Sequence, residues 1–107
     1  MSQLFHIHPD TPQARLIREA VKIIQQGGVV AYPTDSCYAL GCHLGDKRAM
    51  ERIMATRQLD LRHHFTLVCR DLSELGSYAK VDNAQYRLLK AATPGAFTFI
   101  LQASKEV

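Results

Sequence analysis

A glycine pair followed by a short apolar run and a proline constrains this chain more than any other stretch. In Gly27-Gly28-Val29-Val30-Ala31-Tyr32-Pro33-Thr34-Asp35-Ser36-Cys37-Tyr38-Ala39-Leu40-Gly41 a helix stop, a strand and a polar loop follow one another directly. Gly27 takes the left-handed conformation that closes a helix. Val29 to Tyr32 is apolar and β-compatible, as a buried strand should be. Pro33 lacks a backbone donor and stops a ladder. Thr34, Asp35, Ser36 and Tyr38 then crowd the loop with polar groups. Two readings of them stay open. One is a turn whose side chains bond only their own backbone. The other is a ligand loop beyond a strand end, where α/β proteins place small molecules.

The helix that Gly27 closes is visible from its period. Thr11 offers an N-cap hydroxyl and Pro12 suits the first helical position. Leu16, Ile17, Ala20, Val21, Ile23 and Ile24 follow at helical spacing, with charged and amide residues opposite. Before it, Gln3 to Ile7 alternates as a modest strand. After the polar loop, Asp46 caps a second helix running to about Arg57, with Met50, Ile53 and Met54 on its inner face. Gln58 to His64 is a polar loop, and Phe65 to Cys69 reads as a buried strand. Asp71-Leu72-Ser73-Glu74 has capping-box form and opens a short helix ending near Gly76. Asp82-Asn83-Ala84-Gln85 repeats the device for a helix to about Ala92. Thr93-Pro94-Gly95 is a turn, and Phe97 to Gln102 a further strand. This order predicts an α/β layer architecture around a mixed sheet.

At 107 residues the chain is at most one domain. Its net charge of +3 permits an anionic partner without requiring one. The three cysteines, Cys37, Cys42 and Cys69, form no C-x-x-C and read as reduced thiols of a cytoplasmic protein. No basic-then-apolar leader and no run of membrane-spanning length is present, so no membrane partner is expected. Ser104 to Val107 offers no docking element after the last strand. A sheet edge left open there reads as the front portion of something longer.

Four motifs in register carry a resemblance. Tyr32-Pro33-Thr34-Asp35-Ser36-Cys37-Tyr38-Ala39-Leu40-Gly41 resembles the YPTET-x-YGLG signature of the YrdC-like family, the threonylcarbamoyl-AMP synthases of tRNA modification. Ala49-Met50-Glu51-Arg52-Ile53 resembles the helix after that loop. Thr56-Arg57-Gln58 sits where the family has K-x-R-P. Thr93-Pro94-Gly95-Ala96-Phe97-Thr98-Phe99-Ile100-Leu101 resembles its PGP-x-T-x-IL strand. The phrases RQL and HHFTLVCRDLSEL are most similar to the YciO branch.

The resemblance implies a YrdC-like twisted mixed β-sheet with flanking helices, here an incomplete, N-terminal portion of the domain. Family members are near twice this length and carry a later S-x-N-type nucleotide motif. It also implies a nucleotidyltransferase-type reaction: L-threonine, bicarbonate and ATP, with Mg2+, give threonylcarbamoyl-adenylate for t6A modification of tRNA. On that reading Thr34 and Tyr38 meet the threonine, Asp35 fills the acidic position of the motif, and Arg57 meets ATP. No residue is assigned as catalytic, and no metal ligands are assigned. The alternative is a module that binds double-stranded RNA or tRNA without synthase activity. Lys47, Arg48, Arg52, Arg57, Arg62 and Arg70 are then its phosphate contacts.

The chain departs from the family pattern at three positions, and Ala55, Cys69 and the missing tail lead us to expect weak or absent synthase activity. The family lysine falls at Ala55, which carries no charge, and Arg52 or Arg62 are the available substitutes. Cys69 stands where synthases often carry a histidine, and reads as a small buried hydrophobe. Ala39 replaces a usual glycine. His63 and His64 are adjacent and face opposite ways in a strand, so a shared metal is not expected. His43 reads as a surface residue.

Overall fold

The structure, a computed structural model, describes residues 2–60 and 64–106. The chain divides into two compact units, residues 1–63 and 64–107.

The first unit is built on helix α1, Ala14–Gln25, and the strands β1, Val30–Pro33, and β2, Tyr38–Gly41. Leu16, Ala20, Ile23 and Ile24 turn inward and are half-buried, while Ile17 and Val21 stay exposed. The expected cap on Thr11 does not form. The His8 imidazole accepts the Asp10 and Thr11 N–H groups at 3.1 and 3.0 Å and lies 3.1 Å from the Thr11 hydroxyl. That hydroxyl is held away from the helix, which starts two positions later than a Pro12 first turn requires. Gln13 is the N-cap, and its carbonyl accepts the Leu16 and Ile17 N–H groups.

The far end of α1 closes as expected. Gly27 has φ +90°, its N–H donates to the Ile24 carbonyl, and the Gly28 N–H donates to the Ile23 carbonyl at 2.8 Å. These two bonds satisfy orphan carbonyls and turn the chain straight into β1. β1 and β2 form an antiparallel hairpin with Val30 opposite Gly41 and Pro33 opposite Tyr38. The segment Tyr38–Gly41, expected as loop, is thus a strand. Pro33 ends the ladder, where a missing donor is tolerated.

Helix α2, Lys47–Arg57, has the predicted extent. Its Asp46 cap accepts the Ala49 N–H at 3.0 Å. Ala49 and Ile53 are its buried residues. It ends on Gln58 in the left-handed region at φ 55°, with the Leu59 N–H donating to the Met54 carbonyl.

The second unit holds helices α3, Leu72–Tyr78, and α4, Asn83–Ala92, with strands β3, Ala79–Lys80, and β4, Gln102–Ala103. β3 and β4 pair antiparallel. α3 runs past Gly76 to Tyr78, two residues beyond the sequence reading. A Cβ at Gly76 would meet nothing within 4 Å, so nothing in its surroundings marks a stop. α4 has the full predicted box: Asp82 accepts the Gln85 N–H at 2.8 Å, and the Gln85 side chain accepts the Asp82 N–H at 3.0 Å. Leu89 and Ala79 are the buried apolar residues here.

The α/β character is as expected, and the ladders among the described residues are two antiparallel pairs. Gln3 to Ile7 and Phe65 to Cys69 make no ladder, and of the last expected strand only Gln102 pairs, extended by Ala103. Strand propensity marks a segment as suited to a pleated surface; a ladder also needs a neighbour.

Two outcomes test this account. Gly28→Ala places a Cβ against Ile23 Cγ2 and within 2.7 Å of the Ile23 carbonyl oxygen. We expect about 1–3 kcal/mol of lost stability, seen as a lower urea midpoint at unchanged slope. At α3, the Glu74 N–H donating to Asp71, with help from Arg70, holds the Asp71 carboxyl below its ordinary value of 3.8. A lowered folded-state value contributes stability above the unfolded value and loses it as pH falls through the folded one. Between about pH 5 and pH 2 the wild type therefore loses more stability than Asp71→Asn, measured by urea unfolding at each pH.

Candidate functional site

The polar residues of the opening motif form the turn of the β1–β2 hairpin. Thr34 is its organiser. The Thr34 N–H donates to the Cys37 carbonyl at 2.8 Å, and its hydroxyl donates to the same carbonyl at 2.5 Å. That hydroxyl also accepts the Ser36 N–H at 3.3 Å and the Cys37 N–H at 3.1 Å. The Ser36 hydroxyl lies 3.4 Å from it and 3.7 Å from Cys37 Sγ. Of the two readings left open by the sequence, the self-bonded turn describes Thr34. It does not describe Asp35 or Tyr38. Both are exposed, Tyr38 to 73%, and neither side chain has a hydrogen bond or ion pair among the described residues. The hairpin thus presents an exposed carboxylate in its turn and an exposed phenol at the first residue of β2.

Arg57 sits at the last position of α2, exposed, where the helix dipole favours a cation. Ala55, where the resemblance puts the family lysine, lines an open groove of about 620 Å³ with Gln26, Gly27, Asp46, Arg48, Glu51 and Arg52. Arg48, Glu51, Arg52 and Ala55 are the i, i+3, i+4, i+7 stripe of α2. That spacing was readable in advance, but the apposition of the α1 terminus was not. Thr34, Tyr38 and Arg57 are outside this groove's lining. Arg48 and Arg52 have no ion pair among the described residues, yet Asp46 and Glu51 balance them in the lining.

The other candidate phosphate contacts divide. Lys47 is exposed on the first turn of α2. Arg70 belongs to the second unit and pairs with Asp71 at 3.4 Å. Arg62, and His63 beside it, lie outside the described residues. His43 is exposed, as expected, and its Nδ1–H donates to the Leu44 carbonyl at 2.8 Å.

The cysteines are all free, with Cys37 exposed on the turn and Cys42 and Cys69 half-buried. Partial burial, and then the nearby Asp46, pushes the Cys42 thiol up; burial, then Glu74 and Asp71, does the same for Cys69. A raised thiol is less ionised at any neutral pH and so less nucleophilic. Iodoacetamide near neutral pH should therefore label Cys37 ahead of the other two, as followed by mass spectrometry of peptides.

Comparison with known proteins places this geometry. The family model Sua5_yciO_yrdC, described as "Telomere recombination", matches residues 22–107. An uncharacterized protein of Haemophilus influenzae is 64% identical over 107 residues, covering all of this chain and 52% of the relative. The crystal structure of Escherichia coli YciO superposes with a TM-score of 0.91 at 63% identity, over 100% of this chain and 52% of that one. A Chromobacterium violaceum protein named threonylcarbamoyl-AMP synthase is 36% identical over 100 residues, covering 92% of this chain and 52% of the relative. The chain spans about half the length of the curated relatives it matches. With a family match over most of its length and the YciO fold, the chain belongs to the Sua5/YciO/YrdC family, on its YciO side: it is 63% identical to YciO and 36% to the named synthase.

Proposed function

We propose that this chain supplies the amino-acid-binding part of a threonylcarbamoyl-AMP synthase-type site, with low activity. The reaction joins L-threonine, bicarbonate and ATP to give threonylcarbamoyl-adenylate and pyrophosphate, ahead of t6A formation on tRNA. The observation that carries the reading is the hairpin end: a preformed turn from Thr34 to Cys37 with the side chains of Asp35 and Tyr38, which have no partner among the described residues. The likeness to proteins named threonylcarbamoyl-AMP synthase supports it. A carboxylate and a phenol suit the ammonium and hydroxyl of threonine. Binding of this kind serves catalysis by holding the amine where the carboxylating and adenylating steps occur.

The nucleotide end is weaker. Arg57 offers a planar fork to a phosphate. The lysine that would add a second cation is Ala55, and Arg52, three positions earlier on the same face, is the nearest substitute in the sequence. Among the described residues no group of three or more His, Cys, Asp or Glu is placed to hold a metal. Mg2+ commonly arrives on the nucleotide, held by phosphates and one or two carboxylates, and would serve here to offset phosphate charge. RNA binding draws less support, because acidic neighbours accompany Arg48, Arg52 and Arg70. No described helix is long and apolar enough to cross a membrane.

Pyrophosphate release from the 107-residue chain, assayed with ATP and with or without L-threonine and bicarbonate, tests the proposal. We expect slow release that needs both. Ala55→Lys should raise it about tenfold or more by restoring a cation at the transferring phosphate. Release indifferent to L-threonine, or none in either protein, overturns the reading.

A further inference from the structure

We propose that Thr34 is a positioning residue: its hydroxyl clasps the hairpin turn shut and does not touch the substrate, which meets Asp35 and Tyr38 instead. A threonine hydroxyl has one donor and two acceptor sites. Here the donor goes to the Cys37 carbonyl and the acceptors take the Ser36 and Cys37 N–H groups. Nothing is left over for a ligand. A direct contact from this hydroxyl costs at least one of those bonds and frees a backbone group at the end of β2. Asp35 and Tyr38 flank the clasp with no such commitments among the described residues.

The clasp also explains why a threonine or serine suits this position. The Thr34 N–H and hydroxyl grip the same Cys37 carbonyl, at 2.8 and 2.5 Å. The carbonyl is thereby fixed from two sides, and with it the direction in which the chain enters Tyr38. Valine matches threonine in shape and keeps the N–H bond but loses every bond made by the hydroxyl. Serine keeps them all. The two substitutions therefore separate the hydroxyl's role from the side chain's bulk.

The turn half of this inference stands alone; only the ligand half rests on the synthase-type reading. Both are read by NMR on the 15N-labelled 107-residue chain. Amide exchange at Ser36 and Cys37 should be about tenfold faster in Thr34→Val and within about twofold of wild type in Thr34→Ser. L-threonine titration should weaken in Thr34→Val in step with that loss and be kept by Thr34→Ser. Tyr38→Phe should weaken it with the two amides unchanged. If Thr34→Val leaves the amides protected but loses threonine binding, the hydroxyl touches the ligand and the proposal is overturned. Unchanged exchange together with unchanged binding overturns it as well. If the wild type binds no L-threonine while Thr34→Val still speeds exchange, the synthase-type reading fails and the clasp holds. Should Thr34→Val not fold, the wild type decides: the Cys37 amide must exchange more slowly than that of Asp35, and equal rates refute the clasp.

Discussion

The two-bond closure at Gly27 and Gly28 is the constraint on which the first unit depends. It takes up the free carbonyls of α1 and reverses the chain within two residues, so β1 begins at Val30 with its direction set. The hairpin follows from β1, and the turn's position follows from the hairpin register. Gly27 also lines the groove beside α2, where it approaches Asp46; a Cβ there would come within 3.1 Å of that carboxylate. One helix terminus therefore places both polar features of the unit. Neither glycine accepts a side chain freely: Gly27 for its positive φ, Gly28 for the closeness of Ile23.

Local chemistry was the most legible part of the sequence. The caps on Asp46, Asp71 and Asp82 all form, because each needs only a carboxylate and an N–H three positions on. The Thr11 cap failed for an equally local reason that the helix pattern does not include: His8 reaches the same hydroxyl first. Strands were less legible. The polar neighbours of Tyr38–Gly41 disguise it as loop, although a hairpin needs only a short turn and a returning strand. At the candidate site, the hydroxyl-rich turn could be located from residue types. Which hydroxyl would be spent internally depended on backbone geometry that no residue type specifies.

The unladdered segments show where pattern reading stops. Along Thr66 to Cys69 and Thr98 to Leu101 burial alternates: Leu67, Cys69, Phe99 and Leu101 are half-buried, while Phe65 and Phe97 at the head of each run are exposed. The alternate positions are open, with Val68 79% and Ile100 98% exposed. A run apolar on both faces suits a strand covered on both sides. Here one side is covered. Apolar patterning states what a segment can bury, while the ladder and the second layer are properties of its neighbours.

The turn and the cation lie on different elements, and that separation bears on how far the synthase likeness reaches. The turn is self-sufficient: Thr34 and Cys37 bond each other, so its form survives changes elsewhere. The charge of the K-x-R motif belongs to the last turns of α2, where alanine replaces lysine without cost to the helix, alanine being the best helix former. Among the described residues no hydrogen bond or ion pair joins Thr34, Asp35 or Tyr38 to Ala55 or Arg57, so a substitution on α2 leaves the turn's own bonds intact. Shape is then retained by bonds within the turn, and on the proposed function any activity falls to exposed side chains that those bonds do not involve. A family fold at a TM-score of 0.91 and a synthase motif lacking its lysine are compatible on those terms. On the proposed function, the exposed side chains of α2 are therefore where synthase-type chemistry is kept or lost, since the fold itself is indifferent to them.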